Sequence, residues 1–149
     1  MNTEQLTSIL RERSPDLDFV VTSANRLPLQ TNFKRPAGLI VNTDPSHKPG
    51  KHWVCFFFPE SGPAEFFDSL GHAPEHYYQN FRNLLIATGP EYQYSTKQLQ
   101  DAESPHCGAY CLYYLVHRKN GTDYRNILAR FGENLKLNDA RVVEWLESV

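Results

Sequence analysis

Two apolar segments in the middle of the chain, separated by a short turn, restrict the fold most strongly. Residues 52–58 (HWVCFFF) are rich in aromatic and β-branched side chains, and residues 64–69 (AEFFDS) follow the turn sequence ESGP at 60–63. Such residues favour strands, and a short turn between two strands favours an antiparallel hairpin. The sequence therefore predicts a β-hairpin in which His52, at the start of the first strand, lies beside the end of the second.

The remaining patterns predict helices and short strands around this hairpin. Helices are predicted over 3–13, 74–87, 105–118, 123–131 and 138–147, and strands over 17–22, 38–42 and 92–95. Thr3, Ser104 and Asn138 are the expected helix N-caps. Loops are expected at 25–36 and 43–51, where prolines and turn residues accumulate. This order indicates the α+β class, with a small antiparallel-rich sheet packed against a central helix.

Length and composition fit one domain over residues 1–149 that has enough core to fold without a metal or disulfide. Three cysteines cannot complete a disulfide framework and indicate a reducing, intracellular compartment. The apolar runs are too short for a bilayer, and the first residues (MNTEQLTSIL) lack a signal-peptide pattern. A formal net charge of -2 argues against a dedicated nucleic-acid binder.

Cys107 is the candidate nucleophile. It falls in the first turn of the predicted helix 105–118, where unpaired backbone N–H groups and the helix dipole favour a thiolate. Gly108 leaves room for a substrate backbone. A buried structural role is the commoner interpretation of a cysteine taken alone, and we assign that role to Cys55 and Cys111.

A zinc site is the alternative interpretation of the same helix. Cys107, Cys111, His106 and His117 would supply the donors, but the C-x3-C spacing differs from the paired knuckles of structural zinc sites. We therefore expect no metal ligands and no cofactor.

His52 is the candidate base among six histidines. It begins the strongest predicted strand, where a rigid element can hold an imidazole in place. The hairpin brings Asp68, at the end of the neighbouring strand, within reach, and a carboxylate there can fix the imidazole tautomer. His47, His72 and His76 are interpreted as solvated surface groups.

The order of these residues resembles the adenovirus-type (adenain-like) cysteine peptidases, of the wider group that includes the SUMO-specific proteases. The resemblance covers roughly residues 38–118. The motifs that carry it are, in chain order, 38–43 (GLIVNT), the Gly50 turn, His52-Trp53, 67–71 (FDSLG), Gln100, Cys107-Gly108 and Cys111. The spacing between Gln100 and Cys107 resembles that of the adenain-like peptidases. Asp68, where adenain-like peptidases have Glu, resembles the SUMO-specific proteases.

The resemblance implies a papain-like or adenain-like architecture with the nucleophile on the central helix. Cys107 is then the nucleophile, and His52 is the general base and acid. Asp68 orients His52, and Gln100 joins the Cys107 backbone N–H in an oxyanion hole. Spacing alone leaves Gln100 an ordinary loop amide. Trp53, next to the base, is expected to form a wall of the substrate groove.

The expected function is that of a cysteine endopeptidase that cleaves next to glycine, in structural precursor proteins of a virus or virus-like element. One alternative is a deconjugating protease for a ubiquitin-like modifier, and another is an inactive relative that serves as an interaction module. The expected partner is a protein or peptide with glycine near the scissile bond, and no membrane is expected. The expected location is intracellular. For a viral protein, the expected location is the host nucleus or the virion.

Two features of the sequence depart from the adenain-like pattern. The stretch before Gln100 (GPEYQYSTKQL) contains no cysteine, and the chain is slightly acidic. We therefore expect no activation by a disulfide-linked peptide, and DNA binding that is weak or absent.

Overall fold

The computed structural model describes residues 1–27, 34–44 and 52–148. Within these ranges, five strands form one mixed sheet in the order β1 to β5. The strands are β1 (Asp18–Ser23), β2 (Ala37–Asn42), β3 (Trp53–Phe58), β4 (Ala64–Phe67) and β5 (Tyr92–Tyr94). The central strands β2, β3 and β4 are antiparallel, whereas β1 and β5 run parallel to their neighbours. The helices are α1 (Thr3–Arg13), α2 (Gln79–Ala87), α3 (Cys107–Lys119), α4 (Tyr124–Ala129) and α5 (Leu135–Glu147).

The α+β class and the central hairpin are confirmed. In the hairpin, Cys55 pairs with Phe67 and Phe57 pairs with Glu65. The parallel edges were not predicted, because strand patterns in a sequence do not reveal direction. His47 and Gly50, from the predicted 43–51 turn, lie outside the described residues, as do residues 28–33 of the predicted loop 25–36. Residues Ala24–Arg26, at the start of that loop, form a short 3₁₀ turn.

Strand β3 is buried throughout because helices cover both faces of the sheet. Its alternate side chains Trp53, Cys55 and Phe57 pack in the cluster that includes α1, α3 and α5. The intervening side chains of β3 pack in a second cluster with α2. Side chains alternate between the two faces of a strand, and both faces of β3 are buried in apolar clusters. The whole segment is therefore apolar instead of alternating between apolar and polar residues.

Helix α3 lies at the centre of the first layer. Its side chains are buried against β3 on one side and against α1 and α5 on others. Nearly all of its first ten residues are buried, as predicted for a central helix. Its N-cap is His106 rather than Ser104, because the helix begins at Cys107 and not at Pro105. Cys107 therefore occupies the very first helical position.

Two other helix starts differ from the prediction. In α1 the N-cap is Asn2 rather than Thr3, because the Asn2 side chain and Gln5 form a reciprocal capping box. In α5 the N-cap is Asn134, so the helix starts three residues earlier than predicted. Asn138 is instead fully buried inside the helix, and its side-chain amide donates to the Leu99 carbonyl at 3.0 Å.

The predicted helix 74–87 is wrong in its first half. Residues Pro74–His76 form a 3₁₀ turn, and α2 begins only at Gln79. The interruption occurs where two tyrosines turn to other partners. Tyr77 donates a hydrogen bond to Asp68, and Tyr78, with an extended backbone, donates to the Thr43 carbonyl. These tertiary contacts override the local helical pattern.

A buried ion pair joins the sheet to the end of α3. Arg118 binds Glu65 through two nitrogens, at 2.7 and 2.9 Å, and Tyr114 donates to the same carboxylate. The guanidinium also stacks over the Phe57 ring, 4.8 Å from its centre. Arg118 is thus paired and largely covered rather than part of a freely solvated basic face. In the part of the chain described, no helix is both long and apolar enough to cross a membrane.

Candidate active site

The ends of three elements bring His52, Asp68 and Cys107 together. His52 immediately precedes β3, Asp68 immediately follows β4, and Cys107 begins α3. The antiparallel register sets the start of β3 beside the end of β4. The His52 Nε2 atom lies 2.6 Å from the Asp68 Oδ1 atom, and both residues are buried. The structure thus places these predicted site residues in one cluster.

The Cys107 thiol faces the other side of the imidazole. Cys107 and His52 shift each other's pKa through a side-chain interaction. Since Nε2 of His52 is taken by Asp68, Nδ1 is the nitrogen that is left to serve the thiol. The backbone N–H of Trp53 also points at the Cys107 Sγ atom, at a distance of 3.4 Å. This arrangement supplies the thiol with a base and with a fixed hydrogen-bond donor.

The electrostatics of the site favour a thiolate and an imidazolium. Burial disfavours the charged imidazole, but hydrogen bonds to Asp68 and Cys107 outweigh it and raise the pKa of His52 to about 9. Burial likewise disfavours the thiolate, yet hydrogen bonds from His52 and from the Trp53 and Gly108 backbone lower the pKa of Cys107 below its usual value. Both shifts favour the thiolate–imidazolium ion pair over the neutral pair.

Asp68 is held by four hydrogen-bond donors. Its Oδ1 atom accepts from His52 and from the Leu70 backbone N–H, and its Oδ2 atom accepts from the His72 backbone N–H and the Tyr77 hydroxyl. Burial alone would raise the pKa of Asp68, but these hydrogen bonds lower it. The carboxylate is thus ionised and fixed in place. Sequence reasoning missed Tyr77, because its helical pattern gave no sign of this contact.

The Gln100 side chain is buried beside the segment that leads into α3. Its Nε2 atom donates to the Ser104 carbonyl at 2.9 Å, and its Oε1 atom accepts from the Ser69 hydroxyl at 2.5 Å. Since an amide nitrogen carries two hydrogens, one remains for a further acceptor. Ser69 was part of the matching motif, but the sequence gave it no role of its own.

Trp53 lies beside the thiol, where its indole N–H donates to the Met1 carbonyl at 3.0 Å. Its ring also borders Gly108. A Cβ atom at Gly108 would come within 3.2 Å of the Leu6 side chain and 3.5 Å of Trp53. The glycine therefore permits close packing against α1 and Trp53, rather than leaving space for a substrate. The expected groove role of Trp53 stays a prediction.

The other two cysteines are core residues, as predicted. Cys55 and Cys111 are almost completely buried. Burial raises the pKa of Cys111 well above its usual value, so this thiol stays protonated. Across residues 1–27, 34–44 and 52–148, no group of three or more His, Cys, Asp or Glu residues is arranged to hold a metal.

His72 and His76 stack face to face, with ring centroids 3.9 Å apart. His72 is partly buried and His76 is exposed. His76 is thus exposed as predicted, whereas His72 is only partly so, and its backbone N–H anchors Asp68.

A cysteine at the start of a buried helix, facing a His–Asp pair, is an arrangement that cysteine peptidases use. The comparisons with known proteins point to the same class. The chain is 26% identical over 130 residues to a cysteine protease of African swine fever virus from a Malawian tick isolate, which covers 78% of this chain and 44% of that protein. It is 29% identical over 112 residues to a SUMO-1 cysteine protease of a South African tick isolate of this virus, covering 64% and 40% of the two chains.

These homologues confirm the predicted resemblance to the cysteine peptidases of the group that includes the adenovirus-type and SUMO-specific proteases. The chain spans less than half the length of the relatives it matches. A crystal structure of the African swine fever virus protease aligns with a TM-score of 0.48 and 23% identity, covering 71% of this chain and 42% of that one. No protein-family model matches the sequence.

Proposed function

We propose that this chain is a cysteine endopeptidase. The observation that carries the proposal is the cluster of Cys107, His52 and Asp68, in which His52 binds Asp68, the pKa of the thiol is lowered and that of the imidazole is raised. Both shifts favour the thiolate–imidazolium pair that a thiol peptidase needs before its substrate binds.

In the acylation step, the Cys107 thiolate attacks the carbonyl carbon of the scissile peptide bond. The carbonyl oxygen becomes an oxyanion, which accepts hydrogen bonds from the free Nε2 hydrogen of Gln100 and the backbone N–H of Cys107. The His52 imidazolium gives its Nδ1 proton to the leaving nitrogen. The C–N bond then breaks, the amine product departs, and the acyl group stays on Cys107 as a thioester.

In the deacylation step, neutral His52 takes a proton from a water molecule that attacks the thioester carbonyl. The second tetrahedral intermediate uses the same oxyanion donors. Its collapse breaks the C–S bond, releases the carboxylic acid product and restores the thiolate beside the imidazolium. Asp68 keeps the imidazole oriented through both steps, because its hydrogen bond to Nε2 leaves Nδ1 directed at the reacting atoms.

The substrate we propose is a viral or virus-like structural precursor protein with glycine near the scissile bond. The resemblance to adenain-like peptidases and the viral source of the relatives support this class. The proposed place of action is inside an infected cell, in the nucleus or in the virion.

A deconjugating protease for a ubiquitin-like modifier is the second candidate. Two observations favour it: a relative carries the name SUMO-1 cysteine protease, and Asp68 matches the SUMO-protease side of the resemblance. An inactive interaction module is disfavoured, because His52, Asp68, Gln100 and Cys107 are all present and three of them form a connected site.

One assay tests the proposal and separates the two substrates. The purified chain is incubated under reducing conditions with a panel of glycine-containing fluorogenic peptides and, in parallel, with a ubiquitin-like protein fused through its Gly-Gly terminus to a reporter. We expect cleavage by the wild type, none by Cys107→Ala, and retained cleavage by the matched control Cys111→Ala. Cleavage of the fusion alone would select the deconjugase. Cleavage by neither route, or undiminished cleavage by Cys107→Ala, would overturn the proposal.

A further inference from the structure

The residue after Asp68 makes contacts that the mechanism above does not use. The Ser69 hydroxyl lies 2.5 Å from Gln100 Oε1, and its backbone carbonyl accepts the N–H groups of Leu99 and Gln100 at 2.8 and 3.1 Å. Ser69 is 1% exposed and Gln100 is 2% exposed, so water does not compete for these bonds. Ser69 therefore holds both the backbone and the side chain of Gln100.

These contacts determine which way the Gln100 amide faces. A hydroxyl can donate to Oε1, and the Ser104 carbonyl can accept only from Nε2. A rotation of the amide by half a turn would set Oε1 against the Ser104 carbonyl, with two acceptors facing each other. Buried polar groups without a partner are costly, so the two bonds together favour one orientation. In that orientation one Nε2 hydrogen has no partner among the residues that the structure describes.

We propose that Ser69 is a positioning residue of the oxyanion hole, which fixes the Gln100 amide so that its free Nε2 hydrogen serves the transition state. This inference rests on the proposed peptidase function. The hydroxyl also withdraws electron density from the amide through Oε1, which makes the Nε2 hydrogens stronger donors. The adjacent residues Asp68 and Ser69 then have parallel tasks: the first orients the base, and the second orients the oxyanion donor.

The segment that carries Gln100 is itself anchored. The Leu99 carbonyl accepts a hydrogen bond from the Asn138 amide at 3.0 Å, and the Tyr110 hydroxyl, which lies 3.3 Å from the same carbonyl, donates to Asp139 Oδ1 at 2.7 Å. Removal of the Ser69 hydroxyl therefore leaves the backbone of this segment in place, because its backbone bonds to Ser69 and these side-chain bonds persist. The expected loss is confined to the orientation of one side-chain amide.

Steady-state kinetics on a cleavable glycine-containing peptide test this role. Ser69→Ala is expected to lower kcat about tenfold with KM nearly unchanged, which is part of the loss that removal of a whole oxyanion donor causes. Ser69→Thr, which keeps the hydroxyl, should restore much of the rate. Ser14→Ala is the matched control, since Ser14 is also buried but its hydroxyl has no hydrogen-bond partner among the described residues.

A double-mutant cycle separates positioning from a general structural effect. Once Gln100→Ala has removed the amide, the further change Ser69→Ala should alter kcat less than twofold. Two Cys107 reagents give a second comparison. Iodoacetamide alkylation forms no oxyanion, so its rate should be equal in wild type and Ser69→Ala, whereas a peptide aldehyde, whose adduct places an oxygen in the hole, should bind about tenfold more weakly to the variant.

The possible outcomes separate the role of Ser69 from the peptidase function. If the wild type is active and Ser69→Ala has an unaltered kcat, or if the effects of Ser69→Ala and Gln100→Ala on kcat are fully additive, the role of Ser69 is overturned and the peptidase function stands. Equal losses of iodoacetamide and aldehyde reactivity would show general damage to the site and would also overturn it. A wild type without peptidase activity would overturn the proposed function, and this inference with it.

Discussion

His52 and Asp68 are 16 positions apart in the chain, yet the His52 Nε2 atom lies 2.6 Å from the Asp68 Oδ1 atom. The β3–β4 hairpin creates this contact, because its antiparallel register places the residue before β3 beside the residue after β4. The pair is buried and is attached to the rigid part of the sheet. An imidazole held in this way needs little reorganisation when it exchanges a proton with Cys107.

The first prediction concerns pH. The active state pairs a thiolate with an imidazolium, so the rate should fall on the alkaline side as His52 loses its proton, with a limb at about pH 9. Asp68→Asn removes the carboxylate that helps to raise the pKa of His52, so this limb should move to lower pH. A kcat/KM profile for each protein measures the shift. Coincident alkaline limbs would contradict the role of Asp68.

The same pair predicts how stability depends on pH. Because the pKa of folded His52 is raised, its contribution is complete below the ordinary histidine value of 6.5 and is lost as the pH rises through about 9. The pKa of Asp68 is lowered, so its contribution is present above the ordinary value of 3.8 and is lost as the pH falls below it. Denaturant unfolding of wild type and Asp68→Asn across this range tests both signs.

The second prediction concerns the three thiols. The pKa of Cys107 is lowered, whereas Cys111 is buried with a raised pKa and Cys55 is fully buried. Substoichiometric iodoacetamide at neutral pH should therefore label Cys107 at least tenfold faster than either of the others. Mass spectrometry of the native protein identifies the adduct. Preferential labelling of Cys55 or Cys111 would show that the wrong thiol was chosen.

The third prediction concerns Tyr77, which donates to Asp68 Oδ2 at 2.5 Å. Tyr77→Phe keeps the ring and removes only this donor, so Asp68 becomes less firmly fixed. We expect a three- to tenfold lower kcat, roughly 0.7–1.4 kcal/mol on the barrier, with little change in KM. Tyr78→Phe is the matched control, because the neighbouring hydroxyl binds the Thr43 carbonyl instead. An equal loss in both variants would contradict a specific role for Tyr77.

The hairpin, the α+β class and the cluster of His52 and Asp68 could be predicted because they follow from local patterns. The strand sequences and a short turn define the register, and the register defines which ends meet. Tyr77 and Ser69 could not be predicted in the same way. Their roles depend on where their hydroxyl groups point, which is set by the packing of separate elements and leaves no periodic trace in the sequence.

The helix starts show the same limit on a smaller scale. Asn134 and Asn138 are equally suitable caps by residue type, and only burial distinguishes them, since Asn138 is needed to bind the Leu99 carbonyl. Similarly, the pattern of charges at the end of α3 cannot show that Arg118 turns inward. The Glu65 that it binds is 53 positions away, on β4.

The fourth prediction concerns this Arg118–Glu65 pair. Arg118→Ala leaves the buried Glu65 carboxylate without its positive partner, and such a loss costs about 3 kcal/mol of unfolding free energy or more. Lys119→Ala, at the next position, should change it by less than about 0.5 kcal/mol. Urea unfolding measures both variants. Recovery of stability in the double variant Arg118→Met with Glu65→Gln would confirm that the unpaired charge causes the loss.

The last prediction concerns activation. The basic residues at the end of α3 and beyond it could have formed a patch for DNA. Arg118 is instead paired with Glu65, and the Arg130 side chain donates to the Tyr113 hydroxyl. With a formal net charge of -2, counterion release on binding phosphates should contribute little. The stretch before Gln100 also lacks a cysteine for a disulfide-linked peptide.

The purified chain should therefore be active alone under reducing conditions, and duplex DNA should change its rate by less than about threefold, ~0.7 kcal/mol on the barrier. The measurement is cleavage of a glycine-containing fluorogenic peptide with and without DNA at low salt, where electrostatic binding is strongest. Repeating it at high salt is the control, since a true DNA effect must weaken there. An enzyme that is silent alone and active only with DNA would contradict the prediction, and would mean that charges local to the site outweigh the net charge of the chain.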